Sequence, residues 1–235
     1  MHPEDHLETL LLSAAETGAE VSASNSLEFL DGSELDPWDS DVQEQMVQKE
    51  ALGSTERATS LEDATIAFAP WAVHCALVRR SALNEDRLWI PQLDKFASED
   101  TAFWFRVLHG RKVAYTGKYT ALYRIETWNY RNRADELPFW FDAVEHYVAT
   151  NLEFLEGLGL VPNRRQHESL TRLWENLYKR ALEQDDQVLA ERALVKANQW
   201  LCSTPFNDLS LSLKLRRLVG ISLFRRFMAL RSKGS

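Results

Sequence analysis

The second half of this 235-residue chain is patterned for helices, and this limits the fold more than any other feature. Apolar residues recur three or four positions apart in four successive segments, at 136–157, 164–184, 186–201 and 208–231. That spacing gives each helix one apolar face, which is buried against a partner. Glycine, proline or acidic residues separate the segments, and no repeat of fixed length is present. The sequence therefore predicts an all-α domain over 131–235.

The first half mixes helix and strand patterns. The predicted elements are, in chain order, a helix at 3–17 ending at Gly18, a strand at 19–30, an apolar core segment at 66–80, a helix at 99–109 and a strand at 111–124. The acidic residues 33–64 are predicted to form a surface loop, with a short helix around 40–51. The expected fold is an α/β domain over 1–130, followed by the helical domain.

Charge is distributed unevenly along the chain, whose formal net charge is -8. Residues 1–65 contain sixteen acids and two bases, whereas residues 201–235 contain seven bases and one acid. The acidic front half argues against nucleic acid as a partner, because phosphate binding requires basic side chains. The basic, amphipathic segment 209–231 suits two roles, which are docking on the protein body and peripheral contact with an anionic membrane.

The cysteine content and hydropathy indicate a reducing, cytoplasmic setting. Cys75 and Cys202 are the only cysteines, which are too few for a disulfide framework and lack metal-ligand spacing. No apolar run reaches the roughly 18 residues of a membrane-spanning helix. The acidic N-terminus does not resemble a signal peptide. We therefore expect no metal site within the chain itself.

Two adjacent acids, Glu99 and Asp100, open the aromatic helix predicted at 99–109. Free backbone N–H groups and the helix dipole favour an ionised carboxylate at such a position. An acid there serves as a general base, as a metal ligand or simply as a helix cap. These residues alone leave the three roles open.

The motifs around this helix resemble the second half of the inverting family 2 glycosyltransferases. In that family a Glu-Asp pair begins a helix below the acceptor site, a (Trp/Leu)-x-Arg stretch and a glycine precede a strand, and Tyr-Arg closes the domain. The matching residues are Glu99-Asp100, Trp104 with Arg106, Gly110, and Tyr123-Arg124. Upstream, residues 1–8 and 19–24 resemble the helix and strand that follow the family's DxD motif. The resemblance covers about residues 1–130 and implies an incomplete GT-A-like, Rossmann-like domain.

The resemblance also implies roles for individual residues. Asp100 would be the catalytic base that takes the proton of the acceptor hydroxyl, and Glu99 would orient it. Arg124, which follows Tyr123, would reach the donor diphosphate. The implied substrate contacts are Tyr123 and four residues nearer the helix, namely Trp71, His74, Trp104 and Arg106. Each of these four also has a structural interpretation: core packing for the tryptophans, a satisfied ring for the histidine and a salt bridge for the arginine.

The chain departs from the family on the donor side. The nucleotide-binding strands and the DxD motif are missing, and Asp39-Ser40-Asp41 lies in an acidic loop downstream of the segment that should follow the motif. The family's GxFD is also absent, and Glu126 stands where relatives have histidine. We expect a fragment that is inactive alone. Its donor half, with any Mg or Mn ion, would come from a longer protein that starts upstream of Met1, from a partner chain or from a split gene.

The implied partners are an acceptor glycan or lipid-linked sugar, and a nucleotide sugar only when the missing half is present. An incomplete α/β domain exposes a sheet edge and apolar surface, so self-association is also expected. The competing hypothesis is a non-catalytic module whose helical hairpins and aromatic surface bind a glycan or a protein. Binding of a glycan or partner without binding of a nucleotide sugar would favour that module.

Overall fold

The computed structural model describes residues 5–30, 65–71, 73–83, 89–93, 99–125 and 136–225. The helices are α1 (His6–Thr17), α2 (Glu99–Leu108), α3 (Leu137–Gly157), α4 (Arg164–Glu183), α5 (Gln187–Ser203) and α6 (Leu211–Val219). One mixed sheet, in the order β2-β1-β3, contains β1 (Val21–Leu30), β2 (Ala76–Val78) and β3 (Val113–Ile125). The predicted mixed α/β class with a helical second half is confirmed at this level.

The strand β1 lies at the centre of the sheet and pairs differently with its two neighbours. It runs antiparallel to β2 and parallel to β3, so that Val21 lies opposite both Val78 and Val113. The register with β3 shifts after Ala23, near Gly117, whose φ of 73° favours glycine. Parallel strands require a crossover connection, and here the crossover ends in α2.

The direction of α2 places its first turn at a defined end of the sheet. The helix leads into β3 through a tight turn at Gly110, which has a φ of 68°. The helix therefore runs opposite to β3, and its N-terminus points toward the carboxyl ends of β1 and β3. In open α/β sheets, ligands bind in crevices at that end of the strands.

Helices cover both faces of the sheet. On one face, His6 of α1 is buried and its Nδ1 lies 2.7 Å from Oγ1 of Thr120 on β3. The next residue, Ala121, faces the other side, since side chains alternate along a strand. There α2 packs on the sheet in an apolar cluster that contains Val21, Ala23, Trp71, Cys75, Trp104, Val107, Leu108, Val113 and Ala121.

A larger core joins α2 to the helices that follow. Ala102 and Phe105, on the side of α2 away from the sheet, belong to this core. Its other members include Ile66, Ala67, Phe141, Val144, Tyr147, Leu170, Trp174, Leu177, Ala193 and Leu213. Hydrogen bonds strengthen the contact, because Tyr147 donates to the Ala67 carbonyl at 2.8 Å. Residues on both sides of the expected boundary near 130 thus share one core.

The ends of several helices carry residues that favour helix termination or capping, and among them Gly18 was predicted. Gly18 ends α1 with a φ of 66°. Asn163 and Gln166 form a capping box at the start of α4. Asp186 begins α5 by accepting a 2.9 Å hydrogen bond from the backbone N–H of Leu189.

The prediction of one uninterrupted helix over 208–231 is wrong. The helix α6 ends at Val219, because Gly220 adopts a φ of 83° and a ψ of 145°. Residues 221–225 are helical again, and residues 226–231 lie outside the described part of the chain. The apolar residues on the two sides of Gly220 therefore do not form one continuous face.

The basic C-terminal segment is docked on the protein body as far as residue 225. Leu213 and Ile221 are buried in the larger core. Arg216 forms a 2.8 Å ion pair with Glu175, whose side chain is almost fully buried. Burial raises the pKa of Glu175, and Arg216 opposes that shift. Leu211, Leu215 and Leu218 nevertheless remain exposed on the outer side of α6.

None of the helices in the described ranges is both long and apolar enough to cross a membrane. The predicted loop at 33–64, with its short helix around 40–51, lies outside these ranges.

Candidate functional site

The helix α2 holds a carboxylate and aromatic rings on the same side. Asp100, Phe103, Trp104 and Val107 are three or four positions apart, so they share the face of the helix that is turned toward the sheet. Asp100 lies in the first turn and is half-buried. It therefore lies one helical turn beyond Trp104 in the direction of the carboxyl ends of β1 and β3. It is beside the middle of β3 rather than at its end, because ten helical residues rise about 15 Å and thirteen strand residues about 43 Å.

Five aromatic side chains form what we call the aromatic cluster, namely Trp71, Trp89, Phe103, Trp104 and Tyr115. Trp71 stacks on Tyr115 with ring centroids 6.2 Å apart and meets Trp104 edge-on at 5.4 Å. Phe103 links the two ends, at 5.0 Å from Trp104 and 5.6 Å from Trp89. Exposure rises along the cluster, from 1% for Trp104 and 8% for Trp71 to 42% for Trp89. The cluster thus runs from the core, at Trp104, to the surface at Trp89, which also lines a cavity together with Arg106 and Phe154.

Hydrogen bonds fix the sheet side of the cluster. The Tyr115 hydroxyl donates to Oδ1 of Asn25, which lies on β1 where the strand register shifts. Because the hydroxyl is held by the neighbouring strand, the ring of Tyr115 is oriented before any ligand arrives. The direction of the Asn25 side chain depends on the register shift between β1 and β3, because such β-bulges re-aim the side chains next to them.

Two histidines meet between α1 and the turn Val73–Cys75. Burial lowers the pKa of His6 from its ordinary 6.5, and the nearby His74 ring adds to this effect. Hydrogen bonds to the backbones of Thr120 and His74, together with the charge of Asp5, oppose it. His74 itself is half-buried. The neutral form of His6 is therefore favoured in the folded protein.

We expect the protein to lose stability as the pH falls below 6.5, partly because of His6. The unfolded chain then binds a proton at this position before the folded chain does, so acid favours unfolding. Urea denaturation at pH 7.5 and 5.5 measures the effect, and His6→Asn should reduce the difference between the two pH values. His146→Asn, at an exposed position on α3, is the control and should leave the difference unchanged. An unaltered difference in His6→Asn would contradict the assignment.

The structure brings some of the predicted site residues together. Trp71 and Trp104 lie in the aromatic cluster on the Asp100 side of α2, although Trp104 is sealed within it. Glu99 begins α2, and Tyr123 and Arg124 lie near the end of β3, opposite Glu28 and Phe29 of β1. The side chains of Glu99, Tyr123 and Arg124 lie outside the described part of the structure.

Arg106 faces away from Trp71 and Trp104, and it shares a side of α2 with Glu99, which lies seven residues earlier. Arg106 lies two positions after Trp104, which is about 200° around a helix. Its Nη1 donates to the Ala102 carbonyl at 2.9 Å and to Oδ1 of Asn151 at 3.3 Å, and its Nη2 donates to the Thr150 carbonyl at 3.0 Å. The expected salt bridge is thus replaced by neutral oxygen acceptors, which join α2 to α3. Burial lowers the pKa of Arg106 to about 10.

Sequence reasoning missed Tyr115, Phe103 and Trp89 as parts of the site. Phe103 lies three residues after Asp100, so helical spacing alone contained a signal for it. The role of Tyr115 depends on strand pairing with Asn25, which is 90 residues away. Trp89 reaches the cluster from a short turn that no local pattern predicts.

The described residues bring no group of three His, Cys, Asp or Glu side chains together as metal ligands. Asp39-Ser40-Asp41 and Glu126 lie outside those residues.

The chain was compared with known protein families, curated proteins and solved structures. No protein-family profile, curated protein or solved structure matches the chain. The resemblance to family 2 glycosyltransferases accordingly stays a prediction.

Proposed function

We propose that the α/β part of this chain is the acceptor side of an inverting, GT-A-like glycosyltransferase domain of the family 2 type. The proposal depends on one observation, the position of Asp100. This half-buried acid lies in the first turn of α2, on the face that carries Phe103 and Trp104, and toward the carboxyl ends of two parallel strands. A binding crevice is expected at that end of such a sheet.

In the proposed reaction the acceptor hydroxyl oxygen attacks the anomeric carbon of the donor sugar. The bond from that carbon to the diphosphate oxygen breaks, and its electron pair stays on the diphosphate. The hydroxyl proton passes to the carboxylate of Asp100. By the family's pattern, orienting the base is assigned to Glu99, and stabilising the charge of the leaving group is assigned to Arg124 with Tyr123.

The arrangement of layers supports the GT-A-like assignment. A parallel strand pair with α2 on one face and α1 on the other is a βαβ unit of the doubly wound kind. Within the described residues β3 forms an edge of the sheet, and Leu7 and Leu11 expose an apolar stripe on α1. We place the contact with a separate donor half, or with a second copy in its absence, on these surfaces. A Mg or Mn ion would accompany that half.

The proposed acceptor is a glycan or a lipid-linked sugar, and the outer side of α6 favours the latter. Leu211, Leu215 and Leu218 are exposed on a helix that also carries Lys214 and Arg217. An apolar face with basic borders suits contact with an anionic membrane surface. We therefore propose peripheral contact with a membrane through α6 for a protein whose expected location is the cytoplasm.

Residues 1–235 alone are expected to bind acceptor oligosaccharides but no nucleotide sugar. A non-catalytic module would do the same, and sugar transfer after addition of the donor half distinguishes the glycosyltransferase from it. The measurement is a titration with a panel of oligosaccharides, followed by saturation-transfer NMR and tryptophan fluorescence. Tyr115→Leu should weaken binding about twofold to twelvefold, because an aromatic contact contributes about 0.5–1.5 kcal/mol beyond its buried area.

Tyr178→Leu is the matched control for this experiment. Tyr178 is also half-buried and hydrogen-bonded, but it lies on α4 and contacts Ser222 in the helical part. If Tyr115→Leu and Tyr178→Leu weakened oligosaccharide binding equally, the aromatic cluster would not be the binding site. Binding of a nucleotide sugar by this chain would contradict the division into donor and acceptor halves.

A further inference from the structure

A cavity lies on the side of α2 that faces away from the sheet. It has a volume of about 620 Å³ and is bounded by α2, α3 and the segment Trp89–Gln92. Its apolar lining includes Ile90, Phe154 and Leu158. Ligand sites commonly have about 300–1,000 Å³ and a mostly apolar lining with a few polar groups, and this cavity fits that description.

The cationic residue in the wall of the cavity is Arg106, and the other polar residues of the lining are Gln92, Thr150 and Glu153. Arg106 is only 7% exposed, and its hydrogen-bond acceptors are one amide oxygen and two backbone carbonyls. A guanidinium has five N–H donors, so two remain after these three bonds. Among the described residues no carboxylate lies within ion-pair distance of it.

A buried cation with neutral partners is electrostatically incomplete. Removing a charge from water is costly unless an opposite charge compensates for it. Burial lowers the pKa of Arg106 only to about 10, so the group is still charged at neutral pH. The ring of Phe154, 5.2 Å from the guanidinium carbon, and the more distant Glu153 supply part of the compensation. An anion inside the cavity would supply the rest.

We infer that this cavity binds a small organic anion, with its carboxylate or phosphate group on Arg106 and an apolar or aromatic body against Phe154 and Leu158. Arg106 presents planar N–H donors that match either oxyanion. The inference is independent of the proposed glycosyltransferase function, because Arg106 faces away from the Trp104 side of α2.

Glu153 provides the most direct test, because it lines the cavity, is exposed and is not needed for packing. Its negative charge repels an incoming anion. Glu153→Gln should therefore tighten anion binding about threefold to tenfold. Glu156→Gln is the matched control, since Glu156 is an exposed acid on α3 that does not line the cavity.

The probes are phenyl phosphate and benzoate, with benzyl alcohol as a neutral analogue and inorganic phosphate as an anion without a body. Affinities come from calorimetry of the full chain, and the Nε–Hε signal of Arg106 in NMR reports the site. We expect both aromatic anions to bind and shift that signal, and benzyl alcohol to bind at least tenfold more weakly. The ratio of the affinities for phenyl phosphate and benzoate distinguishes a phosphate site from a carboxylate site.

Arg106→Gln should abolish anion binding, but it also removes the link between α2 and α3 and is interpretable only if the variant folds. The Glu153→Gln result decides the matter in either case. Binding that is unchanged in Glu153→Gln, equal affinity for benzyl alcohol, or absence of binding by both aromatic anions would each overturn the inference and leave Arg106 as a structural link.

Discussion

In the proposed glycosyltransferase, completed by its donor half, Asp100→Asn is expected to lower sugar transfer about a hundredfold to ten-thousandfold, which is the usual contribution of a general base. The amide has nearly the size of the carboxylate but does not accept the proton of the acceptor hydroxyl. Binding of the acceptor should change little, so the loss should appear in kcat rather than in KM. The measurement is a transfer assay on the chain together with its donor half.

Two controls accompany this variant. Asp142→Asn removes an exposed acid on α3 whose ion pair with Arg192 is at the surface, and it should leave transfer unchanged. Thermal unfolding should show that Asp100→Asn is folded, since a half-buried acid in the first turn contributes modestly to stability. Retained transfer in a folded Asp100→Asn protein would refute its assignment as the base.

Trp104→Ala is expected to destabilise the fold by about 3–5 kcal/mol, the cost typical of removing a large buried aromatic side chain. Trp104 is 1% exposed and packs against Trp71 and Phe103, so its removal leaves a cavity between α2 and the sheet. Denaturation by guanidinium chloride measures the change in the free energy of unfolding.

Trp89→Ala is the matched control, because Trp89 belongs to the same aromatic cluster but is 42% exposed. Its replacement should cost about 1 kcal/mol or less, as most surface substitutions do. Comparing the stability losses of Trp104→Ala and Trp89→Ala tests whether Trp104 serves the core or contacts an acceptor directly. A small loss of stability in Trp104→Ala, accompanied by a large loss of acceptor binding, would support direct contact instead.

Helical periodicity predicted α3, α4 and α5 to within a few residues, because each of these helices buries one continuous apolar stripe. The same periodicity failed at Gly220, where apolar residues continue at helical spacing on both sides. The break depends on how Leu213 and Ile221 dock on the larger core, which is long-range information. A glycine in such a pattern is compatible with both a helix and a break.

The candidate site was predictable where local geometry decides it. A motif that begins a helix with Asp100 also predicts that Trp104 shares its face. The motif did not reveal that Arg106 points the other way, although helical spacing contains that information. The contact of His6 with Thr120 joins residues that are 114 positions apart, and nothing in the local sequence indicates it.

The helix α2 is a rigid rod of ten residues held between two packed layers. Its sheet side holds Trp104 below Asp100, and its other side holds Arg106 against α3. A helix this short moves as one piece, so a shift of its α3 side by an ångström also shifts the position of Asp100 relative to the strand ends. Substitutions that loosen the contact of Arg106 with α3 are therefore expected to shift Asp100 as well.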